Sequence, residues 1–173
     1  MDLKQLIAGI PSASEKEILV IEIASSQDKF DALFHFIFQQ KDPLAWRAAW
    51  ILDGCDEKDS SLSLKHLPYI ISKLQKLRSS GVRRSMLRLL SRHEIPEEEQ
   101  GILADLCFQY MMSGIQPVAV KVYAMQILFN LTKIYPEMSR ELITVIEDQS
   151  EHNSAGFKAR GRLIINQLEK NKK

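Results

Sequence analysis

The sequence predicts an all-α protein made of stacked helical hairpins. Three observations indicate this class: apolar residues recur at steps of three and four along most of the 173 residues, glycine (7) and proline (6) are scarce, and one helical segment recurs four times. The hydrophobic share of 45% and the charged share of 26% are typical of a soluble globular protein and exclude a disordered chain or a membrane bundle. We expect one domain over residues 1–173.

Local signals mark where the helices begin. Pro96 and Pro117 stand near first helical positions, where the missing N–H of proline costs nothing. Glu97–Glu99 fill the first turn after Pro96, where the helix dipole favours negative charge. Ser12 and Glu15 have the spacing of a capping box. The predicted helices cover residues 2–9, 14–25, 28–40, 43–54, 63–78, 81–93, 97–113, 117–133, 137–149 and 155–170.

A basic residue recurs along the chain at intervals of 36, 38 and 37 residues. An apolar residue precedes each basic residue, and apolar or small residues follow three and seven positions later. This pattern keeps one stripe of each helix against neighbouring helices, and four copies indicate a repeat architecture. In the last copy the position three residues on is a glycine, Gly161, which weakens the match. The aligned basic residues are Arg47, Arg83, Lys121 and Lys158.

The repeated segment resembles the second helix of HEAT and armadillo-type repeats. The best copy is Pro117–Leu128 (PVAVKVYAMQIL), and His66–Ile70 (HLPYI) resembles the Leu-Pro element of the first helix. The resemblance covers residues 28–170 and implies a right-handed α-solenoid of about four repeats of ~37 residues, whose second helices line a concave surface. Residues 1–27 would form an N-terminal helical cap, and residues 171–173 a frayed tail.

Charge is distributed unevenly along the chain. Residues 1–59 carry a net charge of −5, residues 60–93 carry +8 without a single acidic residue, and residues 94–173 carry −2, which together give the net charge of +1. A nearly neutral total therefore hides a strongly basic middle segment, which is expected to attract anionic groups.

The basic middle segment predicts a binding surface for an acidic partner. Arg84, Arg88 and Arg92 recur at four-residue steps and so form one stripe of a helix, and guanidinium groups bind carboxylates and phosphates in a fork. The alternative is a face neutralised by the acidic flanks, which contain Asp53, Asp56, Glu57 and Asp59 before it and Glu94 and Glu97–Glu99 after it. The predicted partner-binding residues are Lys73, Lys76, Arg84, Arg88 and Arg92.

A second candidate surface lies on the helix predicted at residues 43–54. Trp46, Trp50 and Asp53 fall at positions i, i+4 and i+7 and share one helical face. They loosely resemble the aromatic and carboxylate groove of DNA glycosylases in the HEAT-like superfamily, which implies stacking on a damaged base and stabilisation of a developing cation. The competing interpretation is that the two indoles fill the core between stacked helices.

The sequence favours no metal and no cofactor. The histidines stand apart on separate helices or helix ends, and neither a P-loop nor a GxGxxG motif is present. Cys55 and Cys107 are expected to be small buried hydrophobes in a reducing compartment. With neither a secretory leader nor a membrane-spanning stretch in the sequence, we predict a cytoplasmic location.

These patterns favour a non-catalytic interaction module over an enzyme. The resemblance implies a scaffold that docks a protein partner with an acidic segment on its concave face and basic patch. The alternative is a nucleic-acid-binding protein, with glycosylase-like chemistry at Asp53 as a remote extension, although a pI of 7.8 is low for a dedicated nucleic-acid binder.

Overall fold

The computed structural model describes residues 2–9 and 12–170, and these residues form helices and their connections without any strand. The predicted all-α class of helical hairpins is confirmed, while the predicted tail at 171–173 lies outside the described residues. The helices are α1 Leu3–Ala8, α2 Ala13–Ala24, α3 Gln27–Gln39, α4 Leu44–Lys58, a 3-10 helix Ser60–His66, α5 Leu67–Leu74, α6 Ser80–Leu90, α7 Glu97–Met112, α8 Val118–Thr132, α9 Met138–Ser150 and α10 Ala155–Lys170.

The fifth predicted helix differs most from the prediction. A single helix was expected over residues 63–78, but a 3-10 helix precedes α5, which ends at Leu74. Pro68 lies in the first turn of α5 and has no N–H, so it cannot continue an α-helical hydrogen-bond ladder from the residues before it. Asp59 caps the 3-10 helix by accepting a hydrogen bond from the Ser61 backbone N–H at 3.0 Å.

The chain divides into two compact units, Met1–His93 and Glu94–Lys173. In the first unit, α4 packs against its hairpin partner α3 and against α2 and α6. Gly54 permits the close approach of α2, because a Cβ at this position would lie 2.9 Å from Val20 Cγ2. The glycine thus has a packing role inside the helix. The prediction that α4 ends at position 54 is wrong by four residues, since the helix continues to Lys58.

The α3–α4 hairpin combines large and small buried side chains. Helix α3 buries Phe30, Phe34 and Ile37, whereas α4 buries Ala45 and Ala48. Because small residues allow the helix axes to approach, the aromatic rings of one helix can fill the space left by the other. This hairpin forms the centre of the first unit.

The second unit contains two further hairpins. Helix α7 packs against α8 and α9, and α10 packs against α8 and α9. Gly161 of α10 faces Ile146 of α9, whose Cγ2 atom lies only 2.5 Å from the place a Cβ would take. The departure from the repeat pattern at Gly161 thus has a packing reason, since α9 occupies the space of the missing side chain.

Polar contacts within the units follow the repeat period. Several pairs of hydrogen-bonded side chains lie 34 to 37 residues apart in the sequence, which is close to one repeat. Such contacts join equivalent positions of adjacent repeats, as expected when each repeat stacks on its neighbour. Examples are Asp31 with His66, Asp53 with Arg88, Asp56 with Arg92, Gln100 with Tyr135 and Gln126 with Arg160.

Candidate functional site

A groove with a volume of about 460 Å³ lies in the first unit, where two interhelical connections meet. It is bounded by the end of α3 and the loop into α4, and by α5 and the connection into α6. Lys41 enters from the first loop, Lys73 from α5, and Lys76 and Arg78 from the second connection, while Asp42 is the one carboxylate among the lining residues. We call this site the basic groove.

The cations of the basic groove are available to an external anion. Lys41, Lys76 and Arg78 are exposed and Lys73 is half-buried. In the described part of the chain, none of these four side chains forms an ion pair with a carboxylate. With Asp42 counted, the groove carries a net charge of three positive units. Such a concentration of uncompensated charge attracts carboxylates or phosphates.

Two aromatic rings form one wall of the basic groove. Phe38 of α3 and Tyr69 of α5 meet edge to face, with ring centroids 5.2 Å apart and planes at 83°. Lys73 Nζ lies 5.0 Å from the centroid of the Tyr69 ring, which is a cation–π distance. The ring thus holds the ammonium group at the groove while leaving its N–H donors available.

The starts of two helices add to the positive potential of the basic groove. Helix α4 begins beside Asp42, whose Oδ1 accepts a hydrogen bond from the Trp46 backbone N–H at 3.3 Å. Helix α6 begins at Ser79, whose Oγ accepts from the Val82 backbone N–H at 3.2 Å. Ala45 and Val82 from these first turns line the groove, so the positively polarised N-terminal turns of both helices border it.

Arg88 and Arg92 lie elsewhere in the first unit, in an ion-pair network between α4 and the end of α6. Arg88 forms ion pairs with Asp53 and Glu57. Arg92 Nη2 lies 2.7 Å from Asp53 Oδ1 and 2.6 Å from Asp56 Oδ2. We call this set, together with His93, the α4–α6 network. These carboxylates belong to the acidic flank before the basic segment, which the alternative interpretation of the sequence expects to neutralise the basic face.

Asp56 is the most deeply buried member of the α4–α6 network. Its side chain has no exposed surface, and its Oδ1 atom lies 2.5 Å from His93 Nε2. Burial acts to raise the pKa of Asp56, but hydrogen bonds, led by the one from His93, outweigh burial and hold the pKa below its ordinary value. Asp56 is therefore a buried carboxylate, stabilised in its charged form by hydrogen bonds that include those from His93 and Arg92.

Trp46, Trp50 and Asp53 share α4 but contact different neighbours. Trp46 packs its Cβ against Gly81 of α6, and Lys16 Nζ of α2 lies 4.5 Å from the centroid of the Trp50 ring. Asp53 is 2% exposed and is held by the arginines of the α4–α6 network. Its carboxylate thus joins α4 to α6, and the two half-buried indoles cover the flanks of α4.

The structure therefore distributes the five predicted basic residues over three places. Lys73 and Lys76 lie in the basic groove, Arg88 and Arg92 lie in the α4–α6 network, and Arg84 is exposed on α6 without lining the groove. The difference has a simple cause. Helix α4 packs against α6 and presents carboxylates to its C-terminal end. Arg88 and Arg92 lie at that end, so they form ion pairs with α4.

Four groove residues that supply a positive charge or an aromatic ring are missing from the predicted set: Lys41, Arg78, Phe38 and Tyr69. Lys41 stands in an acidic segment and therefore does not contribute to a basic run. The repeat period offers the missing signal, because position 41 plus one repeat reaches the connection that holds Lys76 and Arg78. Equivalent loops of adjacent repeats lie at the same edge of a stack, so their basic residues meet.

Residues 2–9 and 12–170 contain no group of three or more side chains arranged to hold a metal ion. Cys55 and Cys107 are both buried, and burial raises the pKa of the Cys55 thiol to about 12 and raises that of Cys107 as well. Within the same residues, the structure has no helix long and apolar enough to span a membrane.

Comparison with known proteins agrees with the helical repeat architecture. A family model described as a HEAT repeat domain matches residues 4–168, which is nearly the whole chain. Searches for similar curated proteins and for similar solved structures found no match. Since the match extends from α1 into α10, the chain belongs to the HEAT repeat domain family.

Proposed function

We propose that this protein is a non-catalytic interaction module that docks an acidic segment of a partner protein in the basic groove of its first unit. HEAT repeats generally mediate protein–protein interaction. The observation that carries the proposal is the groove itself, in which four cations meet a single carboxylate and none of the four is ion-paired within the described residues. A carboxylate-rich peptide is the complementary protein ligand.

The α4–α6 network supports this choice by contrast. Its two arginines face three carboxylates, Asp53, Asp56 and Glu57, so an acidic partner would compete with ligands already in place. The lysines of the basic groove have no such competitors. Docking at the groove therefore costs only the desolvation of exposed cations, whereas docking at the network would require breaking buried ion pairs.

Fluorescence anisotropy with a labelled Glu- and Asp-rich peptide tests the proposal. The double variant Lys73→Glu/Lys76→Glu is expected to weaken binding by at least about tenfold, because it replaces attraction with repulsion at the groove. Arg140→Glu/Arg162→Glu is the matched control, since it also reverses two exposed charges, one on α9 and one on α10 of the second unit. Unchanged affinity in Lys73→Glu/Lys76→Glu, or an equal loss in Arg140→Glu/Arg162→Glu, would contradict docking at the groove.

The nucleic-acid alternative uses the same cations and is separated by a second titration. Phosphates would bind the lysines and arginine of the basic groove, and bases could stack on its aromatic wall. We expect labelled single-stranded oligonucleotides to bind more weakly than the acidic peptide at equal salt. Tighter binding of the oligonucleotide, with loss in Lys73→Glu/Lys76→Glu, would replace the protein partner with a nucleic acid.

We also propose that the protein acts in the cytoplasm. The absence of a membrane-spanning helix from the described residues supports this location, together with two buried cysteines that form no disulfide. A fluorescent fusion to the full chain, followed by imaging, checks the location, and a signal confined to another compartment would contradict it.

A further inference from the structure

We infer that the basic groove selects acidic segments that carry a large apolar side chain, preferably an aromatic one, between their carboxylates. This inference rests on the proposed function and adds an apolar contact to its charge complementarity. Cations alone would bind any acidic chain, and exposed ion pairs contribute little affinity. The groove offers more than cations, because its lining is apolar beneath them.

The apolar lining combines aliphatic and aromatic side chains. Ile37 and Val82 are 2% exposed and Ala45 is 4% exposed, and they form a surface without polar side-chain atoms. Phe38 and Tyr69 stand beside this surface as the aromatic wall, and Tyr69 is 43% exposed. An exposed tyrosine next to buried aliphatic groups leaves apolar area in contact with water, which a ligand side chain would remove.

The dimensions suit one anchoring side chain. A volume of about 460 Å³ falls within the range of roughly 300–1,000 Å³ in which pockets take small ligands. An aromatic side chain brings about 150–250 Å² of surface and can meet the Tyr69 and Phe38 rings edge to face. Residues that anchor protein interfaces in this way are typically aromatic or long, and they lie in pockets surrounded by polar contacts.

The cations of the groove come from separate segments of the chain. Lys41 belongs to the loop that precedes α4, whereas Lys76 and Arg78 belong to the connection that precedes α6. If an apolar side chain of the partner peptide is seated between the two connections, the acidic residues that flank it in the peptide can each reach a different cation of the groove. Charge complementarity thus commits the occupant to an acidic peptide with a central apolar residue rather than to an uncharged apolar one.

Two labelled peptides of equal charge test the inference, one with a central phenylalanine between acidic residues and one with alanine in its place. We expect the phenylalanine peptide to bind the full chain at least about tenfold more tightly. Tyr69→Ala should remove most of this preference, whereas Tyr69→Phe should retain it because the ring remains. Circular dichroism of both variants confirms that the helices are intact before the affinities are compared.

Each outcome separates the inference from the proposed function. Equal binding of the two peptides, with loss of both in Lys73→Glu/Lys76→Glu, would overturn the anchor and leave charge-based docking in place. Failure of both peptides to bind at low salt would overturn the proposed function, and the anchor with it. A preference for phenylalanine that is the same in Tyr69→Ala as in the unaltered chain would move the anchor away from the groove and so contradict the inference.

Discussion

Two basic regions of the first unit use cationic side chains for opposite purposes. In the α4–α6 network, Arg88 and Arg92 are surrounded by carboxylates, among which Asp53 and Asp56 have almost no exposed surface. In the basic groove, Lys73 and Lys76 face solvent beside an aromatic wall. The first region joins two helices, and the second leaves its charge available to a partner.

The cause of the difference lies one repeat away in the sequence. The residues that precede Arg88 and Arg92 by one repeat are acidic, whereas Lys41 precedes the basic connection at Lys76. Because adjacent repeats stack, the acidic residues one repeat before Arg88 and Arg92 reach and neutralise them, whereas Lys41 adds to the positive charge of the connection that holds Lys76. The total charge of a segment therefore does not show whether its cations are available.

The largest expected effect is on stability, in the α4–α6 network. Asp56→Ala removes the fully buried carboxylate that Arg92 and His93 contact. We expect a loss of about 3–5 kcal/mol in the free energy of unfolding, because the partners of the buried carboxylate lose their ligand. Chemical denaturation measures this loss. Asp105→Ala is the matched control, because Asp105 is exposed on α7, and it should change stability by less than about 0.5 kcal/mol. Equal stabilities for the two variants would remove the structural role of the network.

Acid should weaken the fold through carboxylates rather than through the basic groove. Hydrogen bonds from Lys65, Gln27 and His66 outweigh burial and lower the pKa of Asp31 from 3.8 to about 2, and the pKa of Asp56 is lowered too. A lowered folded pKa gives stability that is present above the unfolded pKa and is lost as the pH falls through the folded one. For Asp31 we expect the loss between about pH 4 and about pH 2.

Circular dichroism during acid titration follows this loss. In Asp31→Asn the part of the loss that belongs to this carboxylate should disappear, because the amide does not titrate. Lys73→Glu/Lys76→Glu should keep the acid dependence of Asp31 and Asp56, since both carboxylates keep their partners. An acid profile that Asp31→Asn leaves unchanged would show that these hydrogen bonds do not govern it.

Salt should weaken peptide binding at the basic groove more than it changes the stability that the α4–α6 network provides. Raising the salt concentration from about 50 mM to about 500 mM is expected to weaken acidic-peptide binding by roughly tenfold, because the groove cations are exposed and become screened. The free energy of unfolding should change by less than about 1 kcal/mol over this range, since buried pairs are screened much less. Binding that does not respond to salt would argue against the cations as the source of affinity.

The smallest expected effect belongs to Arg84. It is exposed on α6 and does not line the basic groove, so it can act on an acidic partner only through its contribution to the potential. Arg84→Glu should slow association by about two- to threefold with little change in dissociation. Stopped-flow mixing with the labelled peptide measures both rates, and a large rise in the dissociation rate would place Arg84 in direct contact with the partner.

The helices could be predicted from the sequence because their signals are local. Apolar spacing and prolines such as Pro96 and Pro117 act within one or two turns, and they mark the elements that the structure contains. The repeat period also follows from residues such as Arg47 and Arg83, which stand 36 positions apart. The family match over residues 4–168 agrees with a helical repeat architecture.

The site could be predicted only in part, because it depends on which residues stack across repeats. Lys73 and Lys76 were placed in a basic segment, but their proximity to Lys41 and Tyr69 follows from the packing of separate hairpins. The ion pairs of Arg88 likewise depend on the packing of α4 against α6, which brings Asp53 and Glu57 to Arg88. A helical stripe can be predicted from spacing alone, but whether it faces solvent or a neighbour cannot.

The central claim is tested most directly by the affinity of the acidic peptide for two variants in which methionine replaces cationic side chains. Lys73→Met/Lys76→Met removes cations from the basic groove, and Arg88→Met removes one from the α4–α6 network. The account predicts that the groove variant loses at least about tenfold in affinity at unchanged stability, while the network variant loses stability but binds the peptide normally when folded. Loss of affinity in Arg88→Met with unchanged affinity in Lys73→Met/Lys76→Met would contradict it.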